Sequence, residues 1–493
     1  MDLLTFVRGC TFDDFLLTPQ CGVLPRRDPA TVDLSARFSR RLTLNRPIVS
    51  ANMDTVTRAS MAIVLAEEGG LGVVDRGFRV GDIAPQVAEI ATVKRTQHGV
   101  IADPHTITED RPIEDARRVM LRTGVGTLAV VDTAGRLKGL LTERDVRFVP
   151  ATMLVSDRMT PRARLVLHEG EVSLAEAERL MTAQKIKKLP LVAADGTLLG
   201  LITAKDLLKH KNHPFATRDA QGRLRVGAAV GATGDYLERA VEVARAGADV
   251  LVIDIAHGHS LVMERALREV KARFEGIDVV AGNVATAEGA RFLVERGADA
   301  VKVGIGPGGG CSTRLTTNFG IPQVEALVQC RRAIGDEMPI IADGGIRRDG
   351  ALAQALLFGG DTVMLGSAFA GTEEAPGEIV HKAVVVPESQ KIVQVPFKVF
   401  RGMASIGAVR DRLDIEDSEP GEVEAIGAEG IEVSVPARGS ARVVIHDMLK
   451  HLCSAISYGG ATTLAELRRQ FSANPERFLV RLSAAARAES FQR

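Results

Sequence analysis

The sequence predicts an α/β fold, a (β/α)8 TIM barrel that carries an inserted second domain. Three observations lead there: short β-branched runs recur along the chain, amphipathic stretches follow most of them, and the runs end in Gly, Asp, Asn or Ser. Near-continuous apolar strands alternating with helices imply a parallel sheet whose outer face the helices cover. In order the runs are PIVSANM (47–53), GLGVVD (70–75), LRVGAAVG (224–231), VLVIDIAHG (250–258), DVVAGNV (278–284), AVKVGIG (300–306), PIIADGG (339–345) and TVMLGS (362–367). YLERAVEVARAGA and AEGARFLVERGA are examples of the helices between them. A doubly wound open sheet is the rival arrangement. It usually carries G-x-G-x-x-G after its first strand, and no such motif opens this series.

Residues 76–223 separate the second run from the third, far more than a loop needs. Within them GRLKGLLTERDVRF (135–148) matches GTLLGLITAKDLLK (196–209), each preceded by an apolar LAVVD or LPLVA strand. Two self-similar modules bury their open faces on one another, so the insertion is expected to fold as its own domain. The expected division is 1–95 for the first part of the barrel, 96–211 for the repeat pair (about 96–150 and 155–211) and 212–493 for the remainder.

Composition narrows the function classes. The 62 basic and 62 acidic residues cancel, so no global field points to nucleic acid or a membrane surface. Five scattered cysteines without a C-x-x-C pair argue against a disulfide framework or a zinc site and favour a reducing cytoplasm. The opening MDLLTFVRGCTFDDF is too acidic and too short in apolar residues for a signal peptide. No apolar run approaches the roughly 20 residues of a membrane helix.

Barrel enzymes place their chemistry on the loops that follow the strands, with a phosphate site often after the seventh and eighth. Those ends read ADGGIR (342–347) and LGSAFAG (365–371), where paired glycines let backbone N–H groups approach an anion and Ser367 adds a hydroxyl. Asp343 is placed to accept from a ribose diol. After the sixth run, GIGPGGGCSTR (304–314) sets Cys311 among glycines, beside Ser312, Thr313 and Arg314, whose hydroxyls and cation favour a thiolate. Together these segments outline a site sized for a nucleoside monophosphate.

Two resemblances add to this reading. The T-x-x-D positions of the repeats, Thr142/Asp145 and Thr203/Asp206, resemble a cystathionine-β-synthase-type (CBS) pair, a Bateman module. That implies contact with the ribose of regulatory purine nucleotides; from the residues alone, both aspartates serve equally as helix caps. SANMDTV, AGNVATAEGA, VKVGIGPG with C-x-T-R, IADGGIR, AGTEEAPGE and RGMASIGA resemble the inosine-monophosphate dehydrogenase / guanosine-monophosphate reductase family across essentially the whole chain. The family resemblance implies that Cys311 bonds to C2 of a purine nucleoside monophosphate while hydride moves to or from a nicotinamide. It further implies that Thr313 meets the reacting purine edge and that Glu429 contacts the ring. Ala51, Met53, Gly344, Met403 and Ala404 would lie against the substrate, with Asp343 at its ribose and Gly345, Gly366 and Ser367 at its 5′-phosphate. Asp254, Asn283, Gly304 and Gly306 would line the cofactor side, and carbonyls of Gly306, Gly308 and Cys311 would hold a potassium ion.

Within that family a dehydrogenase hydrolyses its covalent intermediate with a flap arginine, whereas a reductase expels ammonia and takes hydride from NADPH. RGM, a flap-length segment (about 404–438) and Arg412 in DRL favour IMP dehydrogenase, oxidising IMP to XMP with NAD+. GMP reductase is the alternative, because Leu413 stands where the flap arginine normally has a tyrosine beside it. A nucleotide-sensing protein with an inactive barrel is the third reading. Gly309 and Phe400 also depart from the family's phosphate-binding Ser and Tyr, and Asn318–Phe319 replace Gly-Val. The resemblance implies a homotetramer, or an octamer stacked through the CBS pair. The C-terminal TTLAELRRQFSANPERFLVRLSAAARAESFQR has helical periodicity and is expected to pack as a helical tail.

Overall fold

All eight predicted runs become strands. In the computed structural model they are β1 (Ile48–Ser50), β2 (Leu71–Val74), β3 (Gly227–Val230), β4 (Val250–Asp254), β5 (Asp278–Val284), β6 (Ala300–Val303), β7 (Ile340–Asp343) and β8 (Thr362–Leu365). The structure describes residues 2–96, 100–101, 104–385, 391–413 and 427–491. Each strand pairs in parallel with the next, and β8 returns to β1 through Val363↔Ile48, Met364↔Val49 and Leu365↔Ser50, so the barrel closes. Closure explains the runs' near-continuous apolarity, because both faces of every strand are covered. One set of side chains, including Val49, Val73, Val252, Val280, Ile341 and Met364, fills the interior, joined by Phe38, Leu42 and Leu44 from the N-terminal segment. The alternate set, including Ile48, Val74, Leu251, Ile253, Val301 and Val363, packs in a second core with the surrounding helices. Two of those helices start at a capping hydroxyl: Ser260 Oγ accepts from Met263 N–H, and Thr286 Oγ1 from Gly289 N–H.

The chain divides into two compact units, Met1–Arg95 with Phe215–Thr217 and Leu224–Arg493, and Thr96–Pro214 with Arg218–Arg223. At the root of the insertion, Lys94 Nζ donates to Leu224 O (3.0 Å) and to Asp249 Oδ2 (2.8 Å). The second unit holds two four-stranded sheets, each built on one long antiparallel pair, Thr127–Val131 with Leu137–Thr142 and Lys188–Val192 with Leu198–Thr203. Each pair shifts register at the equivalent point, Val130/Val131 and Leu191/Val192. The repeats meet reciprocally, Leu137 N–H donating to Gly196 O and Leu198 N–H to Gly135 O. Thr142 and Thr203 are both helix N-caps: Asp145 accepts from Thr142 N–H and Oγ1 at 2.7 Å each, and Asp206 from Thr203 Oγ1 at 2.5 Å.

Two features differ from the sequence reading. The stretch after β8 forms an antiparallel sheet, β9 (Ile379–Val385), β10 (Ile392–Arg401) and β11 (Glu432–Pro436). The C-terminal tail is not helical throughout. After helix Leu464–Ala473 it enters strand Leu479–Arg481, which pairs with Phe15–Leu17 near the other end of the chain, and then helix Ala484–Phe491. Pairing an edge to the N-terminal segment overrides local helical pattern there.

Candidate active site

A cavity of about 410 Å³ opens where the strands of the barrel end. Every candidate residue named above for the barrel lines it: Ala51 and Met53 after β1, Asp254 on β4, Asn283 on β5, and Gly304, Gly306, Gly308, Cys311 and Thr313 after β6. Asp343, Gly344 and Gly345 follow on β7 and beyond it, Gly366 and Ser367 after β8, then Met403, Ala404, Arg412 and Glu429. Thr142, Asp145, Thr203 and Asp206 belong to the second unit. Residues 414–426 of the expected flap segment lie outside the described residues.

Cys311 is half-buried, and its Sγ lies 3.2 Å from Thr313 Oγ1, which donates to Glu429 Oε2 at 2.8 Å. A thiol, a hydroxyl and a carboxylate therefore form one hydrogen-bonded chain. Backbone pairing holds the acid in place: Ser312 N–H donates to Glu429 O (2.9 Å) and Ile431 N–H to Gly310 O (3.0 Å). Three glycines make this approach possible. A Cβ on Gly402 would lie 2.2 Å from Gly310 O, one on Gly310 2.9 Å from Gly402 N, and one on Gly430 2.6 Å from Ser405 N. By contrast Cys330, buried in helix Gln323–Ile334, is pushed by desolvation up to about 12 and stays an inert thiol. All five cysteines are free.

Beside the thiol sits a charge cluster that the sequence reading did not single out. Lys302, on β6, carries an ammonium 2.5 Å from Asp343 Oδ2 and 3.2 Å from Asp254 Oδ1. Burial alone would lower its proton affinity, but the two carboxylates outweigh that and hold it above the usual lysine value. Asn283 Nδ2 also donates to Asp343 Oδ2 (2.9 Å) and to Gly304 O (2.7 Å), while its Oδ1 is buried without a partner. Gly344 and Gly345 have φ of +86° and +80°, so the backbone after Asp343 needs glycine. The visible signal was a lone lysine inside VKV, a charge in a strand otherwise apolar on both faces.

Arg76 and Arg412 share the cavity. Arg412 lies in helix Ile406–Leu413, and its carbonyl accepts from Val80 N–H (3.0 Å). Its guanidinium is held below the ordinary arginine range, first by burial, then by the positive charge of Arg76, with Asp54 opposing. Phe400 is buried, and a Cβ on Gly309 would meet Phe400 Cε1 at 3.8 Å and Ser367 Cβ at 3.9 Å.

Fold and site together define an eight-stranded βα-barrel protein with a loop-borne, hydrogen-bonded thiol on the face where such barrels carry out their chemistry. The chain belongs to the IMP dehydrogenase / GMP reductase family, whose domain model matches residues 9–492. It is 43% identical to inosine-5'-monophosphate dehydrogenase of Aquifex aeolicus, over 94% of this chain and 92% of that protein. It is 39% identical to the enzyme of that name from Nitrosopumilus maritimus, over 99% and 98%. Among solved structures it resembles a cysteine-to-alanine variant of GMP reductase from Trypanosoma brucei in complex with guanosine 5'-monophosphate (TM-score 0.84, 36% identity, 98% of this chain and 97% of that one). A second structure of that reductase, with guanosine 5'-triphosphate, gives a TM-score of 0.76 at 33% identity, over 97% and 98%.

Proposed function

We propose that this chain is an IMP dehydrogenase: IMP, NAD+ and water become XMP, NADH and a proton. The observation that carries the choice is Arg412, a guanidinium with lowered proton affinity in the same cavity as Cys311. The Cys311 sulfur adds to C2 of the purine, and hydride leaves C2. NAD+ supplies the hydride acceptor; Asp254 and the unpartnered Asn283 Oδ1 are polar groups suited to its side of the cavity. Asp343, with one oxygen engaged by Lys302 and Asn283, has the other for a ribose hydroxyl. Gly345, Gly366 and Ser367 receive the 5′-phosphate, and Met53, Met403 and Ala404 border the base.

Water must then attack C2 and release the thiol. Arg412 takes the water proton, with Arg76 supplying the neighbouring positive charge that eases its deprotonation where Leu413 has replaced a phenol. Thr313 and Glu429 offer a second relay for the same proton. Incubation with IMP and NAD+ should raise nicotinamide absorbance.

GMP reduction is the second reading, favoured by the likeness to the Trypanosoma reductase. The Cys311–Thr313–Glu429 chain serves it equally. Oxidation of NADPH by GMP with ammonia release would select it, and silence with both substrate pairs would leave a nucleotide sensor.

Potassium would take carbonyls of Gly306, Gly308 and Cys311. Gly308 O already accepts from Cys311 N–H (3.1 Å), and the Arg314 guanidinium binds Ile305 O in the same loop, so any bound ion has a cation as neighbour. Replacing K+ with N-methylglucamine in the assay tests that site. The second unit would bind purine nucleotides as a CBS pair, with Asp145 and Asp206 shared between helix caps and ribose; calorimetry with ATP and GTP on the full chain tests it. Leu315 and Phe319 are strongly exposed on the segment after Cys311, as expected if a tetramer covers them; light scattering reads the assembly directly. Among the described residues no helix is long and apolar enough to cross a membrane; a cytoplasmic location accords with the free thiols.

A further inference from the structure

Arg401 closes β10 and engages two carboxylates from distant parts of the chain. Its Nε and Nη2 donate to Asp54 Oδ2 at 2.9 and 2.6 Å, and Nη2 also donates to Asp411 Oδ2 at 2.5 Å. Asp54 follows β1 and its side chain is 4% exposed, whereas Asp411 is 55% exposed and immediately precedes Arg412. We propose that Arg401 is a positioning residue: by coupling Asp54 of the barrel rim to Asp411, it holds the Arg412 guanidinium in the Cys311 cavity. This rests on the dehydrogenase reading above.

Three further observations support it. At this end the helix carrying Arg412 is also tethered by Val80 N–H on Arg412 O, and that bond fixes backbone, not side-chain direction. Asp54 Oδ1 is buried without a hydrogen-bond partner, so Asp54 depends on Arg401 for compensation. Asp54 is also the carboxylate whose charge pulls against the lowered proton affinity of Arg412. Arg401 outcompetes Arg412 for it: burial would lower Arg401, but its hydrogen bonds and attraction to Asp54, and then Asp411, keep it well above the ordinary range. Arg401 therefore fixes the helix and keeps Asp54 from pairing with Arg412 and trapping it protonated.

Removing Arg401 outright exposes the fold to an uncompensated Asp54, so the test uses Asp411→Asn, which cuts only the outer half of the bridge. Stopped-flow NADH formation with IMP and NAD+ should show an unchanged first-turnover burst and an unchanged KM for IMP. Steady-state turnover should fall about threefold to fivefold, the scale of a partly exposed ion pair. Asp411→Glu should recover most of the loss. In an Arg412→Ala background, Asp411→Asn should cost nothing more, because it acts through that arginine. Equal losses in burst and steady state, full additivity with Arg412→Ala, or a silent Asp411→Asn would overturn the assignment. The two readings fail separately: if IMP with NAD+ yields no NADH, the dehydrogenase proposal falls, and if NADH forms but Arg412→Ala leaves hydrolysis intact, the water-activating role of Arg412 falls. If Arg412→Ala blocks hydrolysis while Asp411→Asn is silent, only the role of Arg401 falls.

Discussion

Replacing Lys302 by methionine should expose how much the barrel depends on one ammonium. Methionine nearly matches its length and removes the charge together with its N–H donors. The side chain is 2% exposed and stands between Asp343 Oδ2 and Asp254 Oδ1. Without it two carboxylates are left with amide donors from Asn283 and Asn52. Removing one member of a buried ionic cluster costs about 3–5 kcal/mol, and since both carboxylates keep some access to cavity water, the lower end applies here. In a unit of this size that should lower Tm by roughly 4 °C at pH 8. Lys302→Arg keeps the charge and should lose much less. Melting of Lys302→Met within about 1 °C of wild type at pH 8 would refute the reasoning.

Other outcomes follow from the same structure. Cys311→Ser should lower turnover by at least about a thousandfold while nucleotide binding by calorimetry persists. Asp75 is fully buried, and desolvation raises its carboxyl from 3.8 to about 6 despite Arg58 and the Gly77 N–H. Its proton is therefore retained to higher pH in the folded state, so its contribution is complete below 3.8 and lost as pH climbs through about 6. Urea titrations from pH 4 to 7.5 should show about 2 kcal/mol of that loss, and Asp75→Asn should flatten the slope. Gly402→Ala should cripple catalysis, because its Cβ would lie 2.2 Å from Gly310 O and displace the Cys311 loop. Gly309→Ser has ordinary space at 3.8 Å and should keep full stability, with a lower KM for the nucleotide if its hydroxyl reaches the phosphate.

The barrel was readable because its strands are apolar on both faces, a pattern that survives without any knowledge of pairing. Its cysteine loop was readable because five glycines around one thiol have few other uses. The ion clusters were not. Lys302 meets Asp343 across 41 residues through pairing of neighbouring strands, and Arg401 meets Asp54 across 347, so only tertiary structure brings the charges together. Arg76 was hidden in the same way, a single charge at a strand end whose importance depends on what docks opposite. The β9–β10 ladder was concealed by HKAVVVPESQKIVQVPFK, where apolar residues lie on both faces and the usual alternation is blurred. In the tail, amphipathic spacing continues through Leu479–Arg481, and only the partner strand near the N-terminus makes it extended.

The Lys94 clasp has an implication for how such a chain could arise and be re-engineered. One side chain touches the carbonyl of Leu224, so the exit from the barrel and the segment that leads back into β3 are near neighbours, with only Phe215–Thr217 of the intervening chain grouped with the barrel. A linker of about three or four residues, at roughly 3.3–3.6 Å each, could span that gap. The intervening module is thus a graft on a stem narrow enough to be cut and sealed, and its acquisition or loss need not disturb the order of the surrounding staves.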